Sequence, residues 1–149
     1  MTGVSSSPER AEGLAEIGAD EVIGELTPEG GSFDAILESV GGHSLAAALA
    51  RVAPWGTIVC FGNSSGQETT FDVSPFYALP GARLYGLRVF DELDRTGSAV
   101  RDLSLLAERV ADGRLDPQVS VIRSWREAGE TLEDLIERRV RGKAVLTID

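Results

Sequence analysis

Five consecutive residues, Thr57-Ile58-Val59-Cys60-Phe61, carry no charge and are mostly β-branched or aromatic. Such a run suits a strand covered on both faces, as inside a parallel sheet. A parallel strand needs a crossover connection of a dozen or more residues, usually a helix. The rest of the chain has that rhythm. Strand-like runs at 21–23, 33–38, 82–90, 119–122 and 144–148 alternate with helical patterns at 7–18, 43–52, 98–111 and 126–140. A short helical turn is expected at 74–79. The punctuation agrees. Ser7-Pro8-Glu9 reads as a helix start, Gly18 and Gly113 as helix stops, and Gly41-Gly42 and Pro54-Trp55-Gly56 as turns. The order predicts an α/β layered domain. Its 149 residues, 42% hydrophobic and 26% charged, are enough for one domain with a real core.

Charge narrows the partners. The formal charge is −10, and residues 1–75 hold 11 acidic side chains against only two basic ones, Arg10 and Arg51. So acidic a chain repels phosphate, which argues against a nucleic-acid or anionic-membrane surface. No apolar run reaches the ~18 residues of a membrane span, and no signal-peptide pattern opens the chain. A cytoplasmic protein is expected.

Most familiar catalytic patterns are missing. One histidine, His43, and one cysteine, Cys60, leave no cluster of zinc-ligating type. His43 stands near a helix start, where it caps or faces water. Cys60 lies inside the apolar run and reads as a small buried hydrophobe. There is no G-x-S-x-G elbow, and Ser64 and Ser65 read as a turn-forming loop at least as well as nucleophiles. Neither G-x-x-x-x-G-K-[ST] nor G-x-G-x-x-G occurs. What remains is three polar or glycine-rich loops at strand ends: 39–42, 62–66, and the end of the strand near 87–90. In open parallel sheets ligands sit at the carboxyl ends of strands. These loops point to a small-molecule crevice without naming the ligand.

Five segments, taken in order, carry a resemblance. They are Ser6-Ser7-Pro8-Glu9-Arg10; Gly18-Ala19-Asp20-Glu21-Val22-Ile23; Phe33-Asp34-Ala35-Ile36-Leu37-Glu38-Ser39-Val40-Gly41-Gly42; Gly56-Thr57-Ile58-Val59-Cys60-Phe61-Gly62-Asn63; and Arg141-Gly142-Lys143-Ala144-Val145-Leu146. Together they resemble the C-terminal half of a medium-chain dehydrogenase/reductase, on the zinc-binding alcohol dehydrogenase and quinone oxidoreductase side of that family. The resemblance implies an α/β fold with a Rossmann-like parallel sheet and flanking helices. It also implies bound NADPH, or NADH, and hydride transfer to a carbonyl or activated alkene. Ser6 and Arg10 match the segment holding the adenosine ribose and its 2′-phosphate, which favours NADPH. Arg10 equally reads as a first-turn surface residue paired with an acidic neighbour. Ser39 and Val40 match the loop at the adenine-side ribose. Phe61, Gly62 and Asn63 match the loop near the nicotinamide ribose, where a side chain at 62 would block the cofactor. Leu87, Arg88 and Val89 match the stretch whose backbone meets the nicotinamide amide. Either Arg138 or Arg141 matches a segment near the cofactor phosphates.

The sequence opens past the family's first Rossmann strand and glycine-rich pyrophosphate turn, so the sheet is expected to be incomplete. The catalytic domain and its zinc ligands are likewise not represented, and no zinc is expected on this chain. Residues of about 1–115 read as a partial cofactor domain. Residues of about 116–149 read as a segment that packs on the catalytic domain, so strands 119–122 and 144–148 are expected to lack partners here. No general acid or base is identifiable, and the chain alone is expected to be inactive. In the family the strand matching 82–90 pairs with its twin, which implies a homodimer. The alternative reading is a non-catalytic dimerising module of the same fold.

Overall fold

The computed structural model describes residues 1–97 and 99–149, which form two units, Met1–Gly97 and Ser98–Asp149. The first unit runs β1 (Thr2–Val4), α1 (Pro8–Ala11), β2 (Glu21–Ile23), β3 (Phe33–Glu38), α2 (Gly42–Arg51), β4 (Val52–Cys60), α3 (Val73–Tyr77), β5 (Arg83–Gly86) and α4 (Val89–Thr96). Strands β3, β4 and β5 form a parallel sheet with β4 in the centre. The apolar run therefore lies in an inner strand, as expected, with Ile58 facing Ile36 on one side and Leu84 on the other.

Only one face of this sheet is covered within the unit. Ile58 is fully buried with Ala48, Leu49 and Val52, and Leu26, Ile36, Leu45, Phe76, Leu79 and Ala82 pack around them. The alanines of α2 let the helix lie close on the sheet. On the other face Leu37 is 76% exposed, and Phe61, at the end of the run, is 50% exposed. The expectation of burial on both faces is thus half met. An apolar run reports that a strand is inner, not that both layers are present.

Several boundaries differ from the sequence expectation, each for a local reason. The first helix is four residues long, because Glu12, at ψ 133°, leaves the helical path after Ala11 and Gly13 follows it at φ +82°. Residues 54–56 lie within β4: Phe33 pairs with Val52 but Ala35 with Thr57, so the residues between bulge out of the ladder. The strand expected over 82–90 ends at Gly86. Arg88 caps a helix whose first turn holds Asp91 and Glu92, which favours a helix start, and Gly97 at φ +61° closes it.

Strands β1 and β2 pair in parallel as a separate two-stranded sheet, so β2 has no place in the main sheet. Between β2 and β3 there is a loop, not a crossover helix, and Arg51 holds it. From the last turn of α2 its guanidinium donates to the carbonyl oxygens of Gly31, of Thr27 at 3.0 Å and of Glu29 at 2.6 Å, and stands 5.1 Å from the Phe33 ring centroid. One of the two cations in the acidic half is therefore a loop clamp. Lysine has no planar fork to reach three carbonyls at once.

The second unit contains α5 (Ala99–Ala111), β6 (Val119–Ser124), a 3₁₀ turn (Trp125–Glu127), α6 (Ala128–Ile136) and β7 (Lys143–Thr147). The first residue of the expected helix 98–111 lies outside the described residues. Contrary to the expectation that these two strands lack partners, β6 and β7 pair with each other, in parallel, from Val119↔Lys143 to Ser124↔Thr147. With α6 between them they make a local βαβ unit, which needs no other sheet to satisfy its inner edges. Ser124 and Glu127 form a capping box at the start of the 3₁₀ turn. Arg139 and Arg123 flank Asp134 at 2.7 and 2.9 Å and hold its carboxyl below the usual aspartate value.

Candidate functional site

The carboxyl ends of β3, β4 and β5 form one continuous edge. Phe61 N donates to Glu38 O at 2.9 Å, Ser64 N to Ser39 O at 3.0 Å, and Ser65 N to Val40 O at 2.9 Å. On the other side Leu87 N donates to Cys60 O at 2.8 Å. These bonds bring together eight of the sequence-predicted residues: Ser39, Val40, Phe61, Gly62, Asn63, Leu87, Arg88 and Val89. Val40, Phe61 and Val89 offer partly exposed apolar surface on this edge, at 43%, 50% and 53%. Asn63, Ser64 and Ser65 are exposed beside them.

Glycine is required at two points, and the reason lies within the chain. A Cβ on Gly62 would stand 2.8 Å from Ser39 O and 3.2 Å from Ser39 Cβ, so Gly62 lets the β3 and β4 ends approach each other. Gly41 has φ +75°, and a Cβ there would overlap Asn63 Oδ1. Both glycines lock the loops together before any ligand is considered.

The residue that organises this edge, Glu38, was not singled out from the sequence. Its side chain is 4% exposed. The carboxylate accepts from Val40 N at 2.9 Å, from Gly41 N at 3.1 and 3.2 Å, and from Ser44 Oγ at 2.9 Å. It thereby fixes the turn 39–41 and the first turn of α2. A glutamate ending an apolar strand just before Ser-Val-Gly-Gly is the available signal, since a charge there needs donors close by.

At the β5 end, a second polar group sets the position of 87–89. Tyr85 Oη donates to Glu92, and Arg95 reaches the same carboxylate at 2.7 Å. The tyrosine first, then the arginine, hold the Glu92 carboxyl below its ordinary value, and the same bond raises the Tyr85 phenol. Strand β5 is thus tied to α4 across the loop. Arg88 pairs with Asp91 at 3.4 Å.

The remaining candidates lie elsewhere. Ser6 and Arg10 stand on the β1–α1 segment, where Ser7 Oγ accepts from Arg10 N at 3.4 Å. Arg138, at φ +59° beyond α6, and Arg141, just before β7, belong to the second unit. His43, exposed at the start of α2, lines a groove of 470 Å³ with Glu25, Pro28, Ala50, Phe71 and Asp72, and none of the strand-end candidates lines it. Cys60 is half-buried, with its thiol 3.6 Å from Gly62 O. Ser65 Oγ accepts from Gln67 N at 3.2 Å, a turn-forming role.

A metal does not fit this chain: among the described residues no group of three His, Cys, Asp or Glu side chains is placed to hold one. The strand-end edge offers apolar patches, serine and asparagine side chains and a backbone fixed by hydrogen bonds. Among the described residues no helix is long and apolar enough to cross a membrane.

The family model described as zinc-binding dehydrogenase matches residues 17–146. The NADP-dependent oxidoreductase RED1 of Cochliobolus heterostrophus is 28% identical over 148 residues, covering 86% of this chain and 39% of that protein. A crystal structure of the Bacillus subtilis protein yhfP with NAD bound superposes with a TM-score of 0.72 at 24% identity, covering 99% of this chain and 46% of that one. The mycobacterial quinone oxidoreductase Rv154c gives a TM-score of 0.79 at 24% identity, covering 97% and 48%. These two structures show the same α/β, Rossmann-like fold. The chain spans less than half the length of each of these proteins.

Proposed function

This chain belongs to the zinc-binding dehydrogenase family, and from that premise we propose that it is the nicotinamide-binding part of a cytoplasmic NADPH-dependent oxidoreductase. The carrying observation is the convergence of the β3, β4 and β5 ends into one edge through four backbone hydrogen bonds. Ligands of parallel α/β sheets bind there. NADPH, when bound, supplies a hydride, and in the whole enzyme the acceptor is a carbonyl or an activated alkene. The chain's own part is to bind and orient. Ser39 and Val40 border the ribose on the adenine side, Phe61–Asn63 border the nicotinamide ribose, and the 87–89 backbone, held by Tyr85 and Glu92, meets the carboxamide. No acid or base for the reaction is assigned to this chain, and it is expected to be inactive alone. The less supported reading is a non-catalytic module, because the relatives carry oxidoreductase names.

Ser6 and Arg10 are assigned to the 2′-phosphate, since they follow a parallel strand and provide a hydroxyl and a cation. A charge-assisted hydrogen bond is worth about 1.5–3 kcal/mol. Arg10→Ala is therefore expected to weaken NADPH binding by roughly tenfold or more while leaving NADH binding unchanged. Equal loss for both cofactors in parallel fluorescence titrations removes Arg10 from this role.

The β5 edge supports a homodimer. It is an outer strand with Leu84 and Tyr85 47% and 42% exposed, and an exposed apolar edge recruits a second strand. Sedimentation equilibrium is expected to give twice the chain mass. A monomer mass at high concentration contradicts the dimer.

A further inference from the structure

The groove of 470 Å³ that His43 lines takes no part in the cofactor reading, since none of the residues assigned to the cofactor lines it. Its volume lies in the range of small-molecule sites. Helix α2 contributes Ala46, Ala47 and Ala50, side chains too short to fill it. The loop after β2 contributes Glu25 and Pro28, and the segment leading into α3 contributes Phe71 and Asp72. Both segments are held in place. Arg51 donates to the carbonyl oxygens of Thr27 and Glu29 on the loop. Phe71 meets Phe76 edge-on with ring centroids 6.4 Å apart, and Phe76 packs against the core. Asp72 accepts from Ser74 N at 2.9 Å. The recess is thus formed before any ligand enters. Among the described residues its acidic liners, Glu25 and Asp72, meet no lysine or arginine in it, and His43 is the remaining titratable one. Phe71 is 42% exposed, so its ring is open to a ligand.

We propose that this groove is a further binding site, for an organic ammonium ligand with one positive charge and an apolar body. The carboxylates of Glu25 and Asp72 and the face of the Phe71 ring receive the ammonium, and the alanines of α2 and Pro28 receive the body. An aromatic face attracts a cation through its quadrupole, most strongly where water is partly excluded. The two carboxylates add attraction of the same sign and turn anions away, which separates this ligand class from phosphates and carboxylic acids. The proposal stands whether or not the strand-end edge binds a nicotinamide cofactor. Were Glu25 and Asp72 merely solvated surface charges, an ammonium would gain nothing in this groove over an uncharged molecule with the same body.

The test uses the full chain, ¹⁵N-labelled, with three probes added separately: hexyltrimethylammonium, 1-hexanol and hexanoate. The ammonium is expected to shift the amide resonances of Ala46, Ala50, Phe71 and Asp72 in a saturable titration, with a Kd of about a millimolar for a ligand of this size. Hexanol is expected to shift the same resonances roughly tenfold more weakly, and hexanoate not to shift them. Asp72→Asn keeps an oxygen for Ser74 N and removes the charge. It is expected to weaken the ammonium roughly two- to fivefold and to leave hexanol unchanged. Glu25→Gln, on the loop, carries the same expectation and decides the matter should Asp72→Asn fail to fold. Phe71→Leu keeps an apolar side chain and is expected to weaken the ammonium by a similar factor. Three results overturn the proposal: equal affinity for the ammonium and hexanol, an ammonium affinity that neither charge-removing variant lowers, or unsaturable shifts scattered over the acidic surface, which signal general attraction to a chain of charge −10.

Discussion

Ile58→Ala is expected to lower the free energy of unfolding by about 2–5 kcal/mol, the range for truncating a fully buried aliphatic side chain. Ile58 has no exposed surface, and it occupies the centre of β4 between Ile36 and Leu84. Ala48, Leu49 and Val52 are buried with it, and Leu45, Phe76 and Leu79 pack around them, so its removal leaves a hole inside the cluster. The core is small: seven hydrophobic residues are buried among the described residues, and four of them form the cluster around Ile58. Since whole domains are stable by only about 5–15 kcal/mol, this single change removes a large share of the total. Urea denaturation of the two chains, compared by midpoint at constant slope, measures it. A loss below about 1 kcal/mol would mean that β4 is not the centre of the core, because only exposed or readily repacked sites are that tolerant.

Gly62→Ala carries the second large effect, on binding more than on folding. The added methyl stands 2.8 Å from a backbone oxygen, Ser39 O, which no side-chain rotation can relieve. The β3 and β4 ends must separate, and the bonds from Phe61 N to Glu38 O and from Ser64 N to Ser39 O stretch with them. The core around Ile58 lies further down the strands and is expected to keep the chain folded. Misplacing a binding loop by about 1 Å is enough to lose a hundredfold in function elsewhere, so NADPH affinity is expected to fall at least tenfold. Circular dichroism and a cofactor titration on the same sample decide it. A folded Gly62→Ala chain with unchanged NADPH affinity places the cofactor away from this edge.

What the sequence disclosed was whatever depends on neighbours in the chain. The run at 57–61 announces an inner strand, the alanines of 46–50 a helix, and the polar ends of 33–38 and 57–61 the loops that lie side by side at the strand ends. What it hid depends on distant partners or on signals outweighed by stronger ones. Arg51 clamps carbonyls 20 to 24 residues away, and no local pattern reports that. Leu87, Val89 and Phe90 prolong an apolar run and so masked the helix start that Arg88, Asp91, Glu92 and Gly97 mark. A lone glutamate at a strand end ordinarily faces water, so nothing at Glu38 itself marks it; its donors are set by the Ser-Val-Gly-Gly turn and by Ser44, six residues on. Strands β6 and β7 were assigned to an outside partner, although two strands joined by one helix are a complete parallel pair.

The central claim is that this chain binds the nicotinamide cofactor along the β3–β4–β5 edge, and titration of NADPH fluorescence with the full 149-residue chain tests it most directly. The chain carries no glycine-rich pyrophosphate turn, so a saturable signal with a Kd weaker than micromolar is predicted. A flat titration to millimolar concentration contradicts the claim.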